Sequence, residues 1–194
     1  GNGDAFVCRD PAGIRPLLYY EDDDVLAAAS ERPPLMSVFN AEPDAIHSVA
    51  PGHVLSIKKD GRTSHAAFAE PLPLRQCTFE RIYFSRGNDP DIYEERKQLG
   101  RNLAGRVLQS IEHDVEHAVF SFIPNTAETA FLGLVGETQR QVRTHRAEQF
   151  WATVESGSPD KDAFHHMNAV QVRAEKIAHK DQRVVAIATG VLQH

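Results

Sequence analysis

Cysteine is scarce in this sequence, and neither a long apolar run nor an excess of positive charge is present. Only two cysteines, Cys8 and Cys77, occur in 194 residues. So few cysteines argue against a disulfide scaffold and indicate a reducing compartment. No apolar run approaches the ~20 residues that span a bilayer, and no signal peptide is evident. The net charge of −6 disfavours nucleic acid as a partner. The composition predicts a cytoplasmic protein with no membrane or nucleic-acid partner.

The first 72 residues have the pattern of a β-rich region. Residues 5–7 predict a buried strand and residues 14–20 the next one. The Asp-Pro-Ala-Gly step between them, which ends at Gly13, predicts a tight turn and therefore a hairpin.

Three further elements are predicted in this region. Residues 25–29 predict a short strand, and Ser30 is a candidate helix N-cap. Pro33 and Pro34 are expected to limit that helix to one turn. Residues 53–57 and 64–68 predict a second hairpin around a polar tip.

After a proline-rich segment at residues 71–74, the periodicity becomes helical. Residues 91–110 predict a helix, and residues 118–123 predict a strand inside a parallel sheet. Helices are predicted at 127–135 and 138–153, and strands at 172–180 and 184–189. The predicted apolar face of the first helix consists of Ile92, Leu99, Leu103, Val107 and Leu108. Helix, strand, loop and helix in this order are typical of an α/β unit.

Five sequence strings carry a family resemblance. Residues 9–17, Arg-Asp-Pro-Ala-Gly-Ile-Arg-Pro-Leu, resemble the glutaminase domains of class II glutamine amidotransferases. Residues 77–86, Cys-Thr-Phe-Glu-Arg-Ile-Tyr-Phe-Ser-Arg, resemble the segment that joins the two domains of amidophosphoribosyltransferases. Residues 28–31 and 49–52 match the same family before this junction, and residues 119–126 match it afterwards.

The resemblance implies an α+β region followed by an α/β region. Residues 1–72 would be the C-terminal part of an N-terminal-nucleophile (Ntn hydrolase) αββα sandwich, the class II glutaminase domain. Residues 73–90 would be the interdomain junction. Residues 91–194 would begin a type I phosphoribosyltransferase domain, with a possible insertion at 136–170.

The family transfers glutamine-derived ammonia to phosphoribosylpyrophosphate, which gives phosphoribosylamine in the first step of purine biosynthesis. Its partners would be glutamine and phosphoribosylpyrophosphate, its cofactor Mg²⁺, and its assembly a homo-oligomer. The family's nucleophile is an N-terminal cysteine, whereas Cys8 and Cys77 are internal. No acidic pair followed by Gly-Thr-Thr occurs after Ile123. The chain is therefore expected to be an internal fragment, inactive alone, without a catalytic residue or a bound metal.

Two alternatives stay open at this stage. An asparagine-synthetase-like enzyme also has a glutaminase half, but its Ser-Gly-Gly-x-Asp loop does not occur after residue 86. A non-catalytic binding module that kept the fold is the other alternative.

The resemblance places a substrate-binding loop after the predicted strand at 118–123. Its candidate residues are Asn125, Thr126 and Ala127, because short side chains and backbone amides can approach a pyrophosphate closely. The family's metal-side hydroxyl falls on Ala127, which has none, and Thr126 is a possible substitute. Without the resemblance, Asn125 and Thr126 predict a helix N-cap. Lys180 is a further candidate, matching a lysine on the loop that closes over the substrate, if a gap is allowed.

Other chemically suggestive residues have simpler interpretations. The string from His113 to His117 has the His-x-x-Glu-His spacing of some zinc proteases, but no third ligand is evident. His165 and His166 are expected to face solvent. Cys77 matches an iron–sulfur ligand position in one branch of the family, but a buried inert thiol is favoured. The two arginines of the first string, Arg9 and Arg15, are predicted to pair with carboxylates in a structural role.

Overall fold

The computed structural model describes residues 3–157, 161–169, 171–181 and 184–187, and it divides the chain into two units, residues 1–92 and 93–194. Together they form a mixed α and β structure. None of the described helices is both long and apolar enough to cross a membrane.

The first unit contains two three-stranded antiparallel sheets. Their strands are β1 (Ala5–Cys8), β2 (Leu18–Glu21), β3 (Leu26–Ala29), β4 (His47–Ser48), β5 (His53–Ile57) and β6 (Thr63–Ala67). One sheet has the order β1-β5-β6 and the other β3-β2-β4. The two sheets contact each other where the ring of Tyr19 lies 5.1 Å from that of His65.

The predicted first hairpin is wrong, although its turn is present. β1 pairs with β5 and β2 pairs with β3 and β4, so the two strands lie in different sheets. The Asp10 carboxylate accepts from the backbone N–H groups of Ala12 and Ile14, which forms the turn. Arg9, directly after β1, donates from Nε to the carbonyl of Arg15 at 3.1 Å and so closes the loop. Strand β1 is also not buried, since Phe6 is 71% exposed.

Other predictions for this unit are confirmed or extended. The hairpin of β5 and β6 and the strand β3 form as expected. Helix α1 (Arg32–Phe39) runs for eight residues, not one turn, because Pro33 and Pro34 lie in its first turn, where no backbone N–H is needed. Its N-cap is Glu31, so the prediction of Ser30 at that position is wrong.

A short π-helix (Glu80–Phe84) follows, and after it the described residues form three α-helices and two strands. They are α2 (Pro90–Ser110), α3 (Glu128–Glu155), α4 (Lys161–Ala169), β7 (Ala178–Asp181) and β8 (Val184–Ile187). The two predicted helices at 127–135 and 138–153 are one continuous helix, α3. Within it, Arg140 and Gln141 donate hydrogen bonds to Glu137 and lower the pKa of that carboxyl to about 2.

The predicted parallel strand at 118–123 is reduced to one bridge. Phe120 pairs in parallel with Ala174, through bonds to the backbone of Arg173 and Glu175. Beyond it, the backbone N–H of Ile177 donates to the Ser121 hydroxyl at 3.3 Å, so a side chain takes the place of the ladder. The predicted strand at 172–180 is only partly right, since β7 begins at Ala178 and only the bridge at Ala174 precedes it. The predicted strand at 184–189 corresponds to β8, and residues 188–189 lie outside the described residues.

Helix α2 confirms the predicted element and part of the predicted face, since Ile92 and Leu108 are buried. Leu99 and Leu103 are 44% and 49% exposed. The buried positions recur every four residues instead, at Ile92, Arg96, Gly100, Ala104 and Leu108. At the end of α2, Leu108 forms a buried cluster with Val115 and Val142.

Candidate functional site

The predicted substrate-binding loop is a turn between the Phe120 bridge and helix α3. Residues 124–127 form the turn, in which Asn125 and Ala127 are exposed and Thr126 is half-buried. The Asn125 carbonyl accepts from the Glu128 backbone N–H at 3.2 Å. The three candidates are therefore adjacent, at the carboxyl end of a parallel pairing, where α/β folds bind ligands.

The alternative interpretation of this turn as a side-chain N-cap is wrong. The N-cap residue is Ala127, and no side chain caps the helix there. The Asn125 and Thr126 side chains are thus not used as the helix cap, and their role in ligand binding stays a prediction.

Aromatic packing fixes the base of the turn. The Phe122 ring packs on the Phe131 ring from α3, with centroids 4.9 Å apart. The Lys176 Nζ lies 6.0 Å from the centroid of the Phe122 ring. Sequence reasoning missed both Phe122 and Lys176, because the pairing of Phe120 with Ala174 that brings them together has no sequence signal.

Lys180, the fourth candidate, lies on strand β7, where its backbone pairs with Val185. Its side chain is outside the described residues. The predicted role of Lys180 stays a prediction.

The zinc-protease spacing does not lie on a helix. His113 is in a turn with a φ of +63°, so His113 and His117 do not share a helical face. The His117 ring instead hydrogen bonds to the Asp114 carboxylate at 2.9 Å. Within the described residues, no group of three histidine, cysteine or acidic side chains could hold a metal ion.

Of the remaining histidines, His165 is exposed on α4 beside the Phe164 ring. The side chain of His166 lies outside the described residues.

The arginines of the first sequence string have structural contacts. Arg9 is 8% exposed and donates to the carbonyls of Arg15 and Val49 and to the Ser48 hydroxyl. Its predicted carboxylate partner is therefore replaced by carbonyl and hydroxyl oxygens. Arg15 does pair with a carboxylate, Glu80, at 3.2 Å.

A cavity of about 210 Å³ in the first unit has charged walls that sequence reasoning did not find. Cys77, which is half-buried, lies in its wall. Arg86 pairs with Glu31 at 3.5 Å, and Arg32 pairs with Asp91 at 2.9 Å. These two ion pairs connect the start of helix α1 with residues 86–91. The charged side chains therefore stabilise the walls of the cavity.

Comparison with known proteins shows which enzymes the chain is similar to. The chain is 31% identical over 137 residues to an amidophosphoribosyltransferase of Mycobacterium tuberculosis. It is 32% identical over 147 residues to a chloroplastic one of Arabidopsis thaliana, and 34% identical over 140 residues to one of Rhizobium etli. The chain resembles one part of an amidophosphoribosyltransferase.

The similarity covers most of this chain but only part of each relative. The alignments cover 69%, 71% and 68% of this chain but 24%, 24% and 26% of the respective relatives. The chain thus spans about a quarter of the length of these amidophosphoribosyltransferases. The resemblance predicted from the sequence strings is confirmed. No family profile matches the sequence.

A solved structure supports the fold. The glutamine phosphoribosylpyrophosphate amidotransferase of B. subtilis, complexed with ADP and GMP, matches 93% of this chain with a TM-score of 0.61 and 24% identity. The match covers 31% of that protein.

Proposed function

We propose that this chain supplies one part of an amidophosphoribosyltransferase: the end of the glutaminase sandwich, the junction and the start of the phosphoribosyltransferase domain. The observation that carries the proposal is the turn at 124–127, which follows a parallel pairing and leads directly into α3. The similarity to amidophosphoribosyltransferases supports the same assignment. The proposed enzyme acts in the cytoplasm as a homo-oligomer.

The proposed reaction joins two steps. Glutamine is hydrolysed to release ammonia, and the ammonia nitrogen then forms a bond to C1 of the ribose. The bond from C1 to the pyrophosphate oxygen breaks, and pyrophosphate leaves with the bonding electrons. The turn around Asn125 and Thr126 would bind the pyrophosphate through short polar side chains and stabilise its growing negative charge.

We propose that Mg²⁺ reaches this site together with the substrate. Mg²⁺ is commonly held by one or two carboxylates together with substrate phosphates. The Thr126 hydroxyl is the proposed contact from the turn, since Ala127 has no polar atom. When bound, Mg²⁺ would neutralise charge on the pyrophosphate.

The cysteines of this chain are not proposed as nucleophiles. The nitrogen of Cys8 belongs to a peptide bond within β1, so it cannot act as the free amine of an N-terminal nucleophile. Residues 1–194 by themselves are expected to catalyse neither step, and iron–sulfur binding at Cys77 is not proposed.

The test uses the full-length protein that contains these residues. Pyrophosphate release from phosphoribosylpyrophosphate is measured with Mg²⁺ and with either glutamine or ammonia. Release with both nitrogen donors is expected, and blocking the glutaminase nucleophile should abolish only the glutamine-dependent reaction. Substrate binding without release would favour the binding module instead. Glutamine hydrolysis coupled to ATP cleavage would favour the asparagine-synthetase-like alternative.

A further inference from the structure

Lys176 lies on the chain segment that pairs in parallel with the segment leading into the turn. Phe120 bridges Ala174, and Phe122 and Lys176 are each two residues further along. Because side chains alternate along extended chains, this register puts Phe122 and Lys176 side by side on one face. The Nζ–ring distance of 6.0 Å confirms that they are neighbours.

The charge of Lys176 is available to a ligand. Lys176 is exposed and forms no ion pair with any residue that the structure describes. The adjacent Glu175 pairs with Arg173 at 3.2 Å and so does not neutralise it. The contact of the Lys176 ammonium with the Phe122 ring is at the outer limit of a cation–π interaction, about 6 Å. The ring therefore orients the ammonium but binds it only weakly.

The turn lies within reach of this ammonium. Pro124 is two residues beyond Phe122, which corresponds to roughly 6.6 Å of extended chain. A lysine side chain is long and flexible, so Nζ can move from the ring towards Asn125 and Thr126. A compact cation beside short polar groups suits a diphosphate, which carries several negative charges.

We propose that Lys176 is a further substrate-binding residue, whose ammonium binds the diphosphate of the substrate at the 124–127 turn. This inference rests on the proposed function and adds a specific cation to its site. Phe122 positions the side chain while the site is empty, and the diphosphate draws the ammonium from the ring.

The experiment compares three variants of the full-length protein with the wild type: Lys176→Met, Lys176→Arg and Lys97→Met. Lys97 is the matched control, because its Nζ lies 5.3 Å from the Tyr93 ring on helix α2. Dissociation constants for Mg²⁺-pyrophosphate and for phosphoribosylpyrophosphate are measured by calorimetry at two salt concentrations, and pyrophosphate release is measured with ammonia. Thermal unfolding confirms that each variant is folded.

Lys176→Met is expected to raise the dissociation constants of both ligands about tenfold or more and to reduce the salt dependence of binding. Lys176→Arg should retain most of the affinity, and Lys97→Met should match the wild type. If the wild type is active and Lys176→Met binds both ligands normally, the inference is overturned and the proposed function stands. If the wild type neither binds nor turns over phosphoribosylpyrophosphate, the proposed function itself fails.

Discussion

Gly100 on α2 and Gly133 on α3 mark the point where the two helices touch backbone to backbone. A Cβ on Gly100 would overlap the carbonyl oxygen of Ala130 and lie 2.7 Å from the nitrogen of Leu134. A Cβ on Gly133 would overlap the backbone of Lys97 in the same way. These backbone atoms cannot rotate away as the end of a side chain can. The contact therefore sets how closely α3, and the turn that precedes it, lies against α2.

Replacing either glycine by alanine should destabilise the second unit. Overpacking of this kind costs about 1–3 kcal/mol, which exceeds the gain of up to about 1 kcal/mol from the better helix propensity of alanine. We expect Gly100→Ala and Gly133→Ala to lower the free energy of unfolding, measured by urea denaturation.

Gly105 on α2 and Gly136 on α3 provide matched controls, because a Cβ at either position would meet nothing within 4 Å. Alanine there should stabilise the protein by roughly 0.5–1 kcal/mol. Equal effects at all four glycines would contradict the close crossing.

The same crossing explains why the middle of the buried face of α2 could not be predicted. Hydrophobicity selected Leu99 and Leu103, whereas the crossing buries Gly100 and Ala104, which are small enough to admit a neighbouring backbone. Periodicity in hydrophobic residues predicts that a helix forms, as it did here. It does not show which face a second helix approaches when that contact depends on small residues.

A second prediction concerns the buried side chain of Arg9. Its guanidinium donates to the Val49 carbonyl at 2.9 Å and to the Arg15 carbonyl at 3.1 Å. Arg9→Met would keep most of the side-chain volume but remove this donor from the buried Val49 carbonyl and the partly buried Arg15 carbonyl. A buried acceptor left without a donor costs about 1–3 kcal/mol. We expect a loss of about 2–4 kcal/mol in the free energy of unfolding, measured by denaturant titration followed by circular dichroism.

Arg62 is the control for that measurement. It pairs with Asp60, but its side chain is 80% exposed, and exposed ion pairs contribute at most about 1 kcal/mol. Arg62→Met should therefore change stability little. If Arg9→Met were equally mild, the assigned role of Arg9 in holding the first turn would be wrong.

The candidate site shows what a sequence motif can and cannot predict. The turn at Asn125 and Thr126 was found because a local string carries the resemblance. Lys176 was not found, because only the distant pairing of Phe120 with Ala174 brings it beside Phe122. The first hairpin failed for a related reason, since the choice of partner strand depends on long-range packing that the Asp10 turn does not encode.

The last prediction concerns the hydroxyl group of the turn. If Thr126 supplies the contact that Ala127 lacks, Thr126→Val should weaken Mg²⁺-dependent binding of phosphoribosylpyrophosphate by roughly 2–10-fold, the range for one hydrogen bond. Ala127→Ser should tighten binding, and the Thr126→Val/Ala127→Ser double variant should recover it. Thr129→Val is the control, because Thr129 is a half-buried threonine in the first turn of α3. Affinity is measured by calorimetry across a range of Mg²⁺ concentrations. Identical affinities for all four variants would show that neither position contacts the substrate or its metal ion.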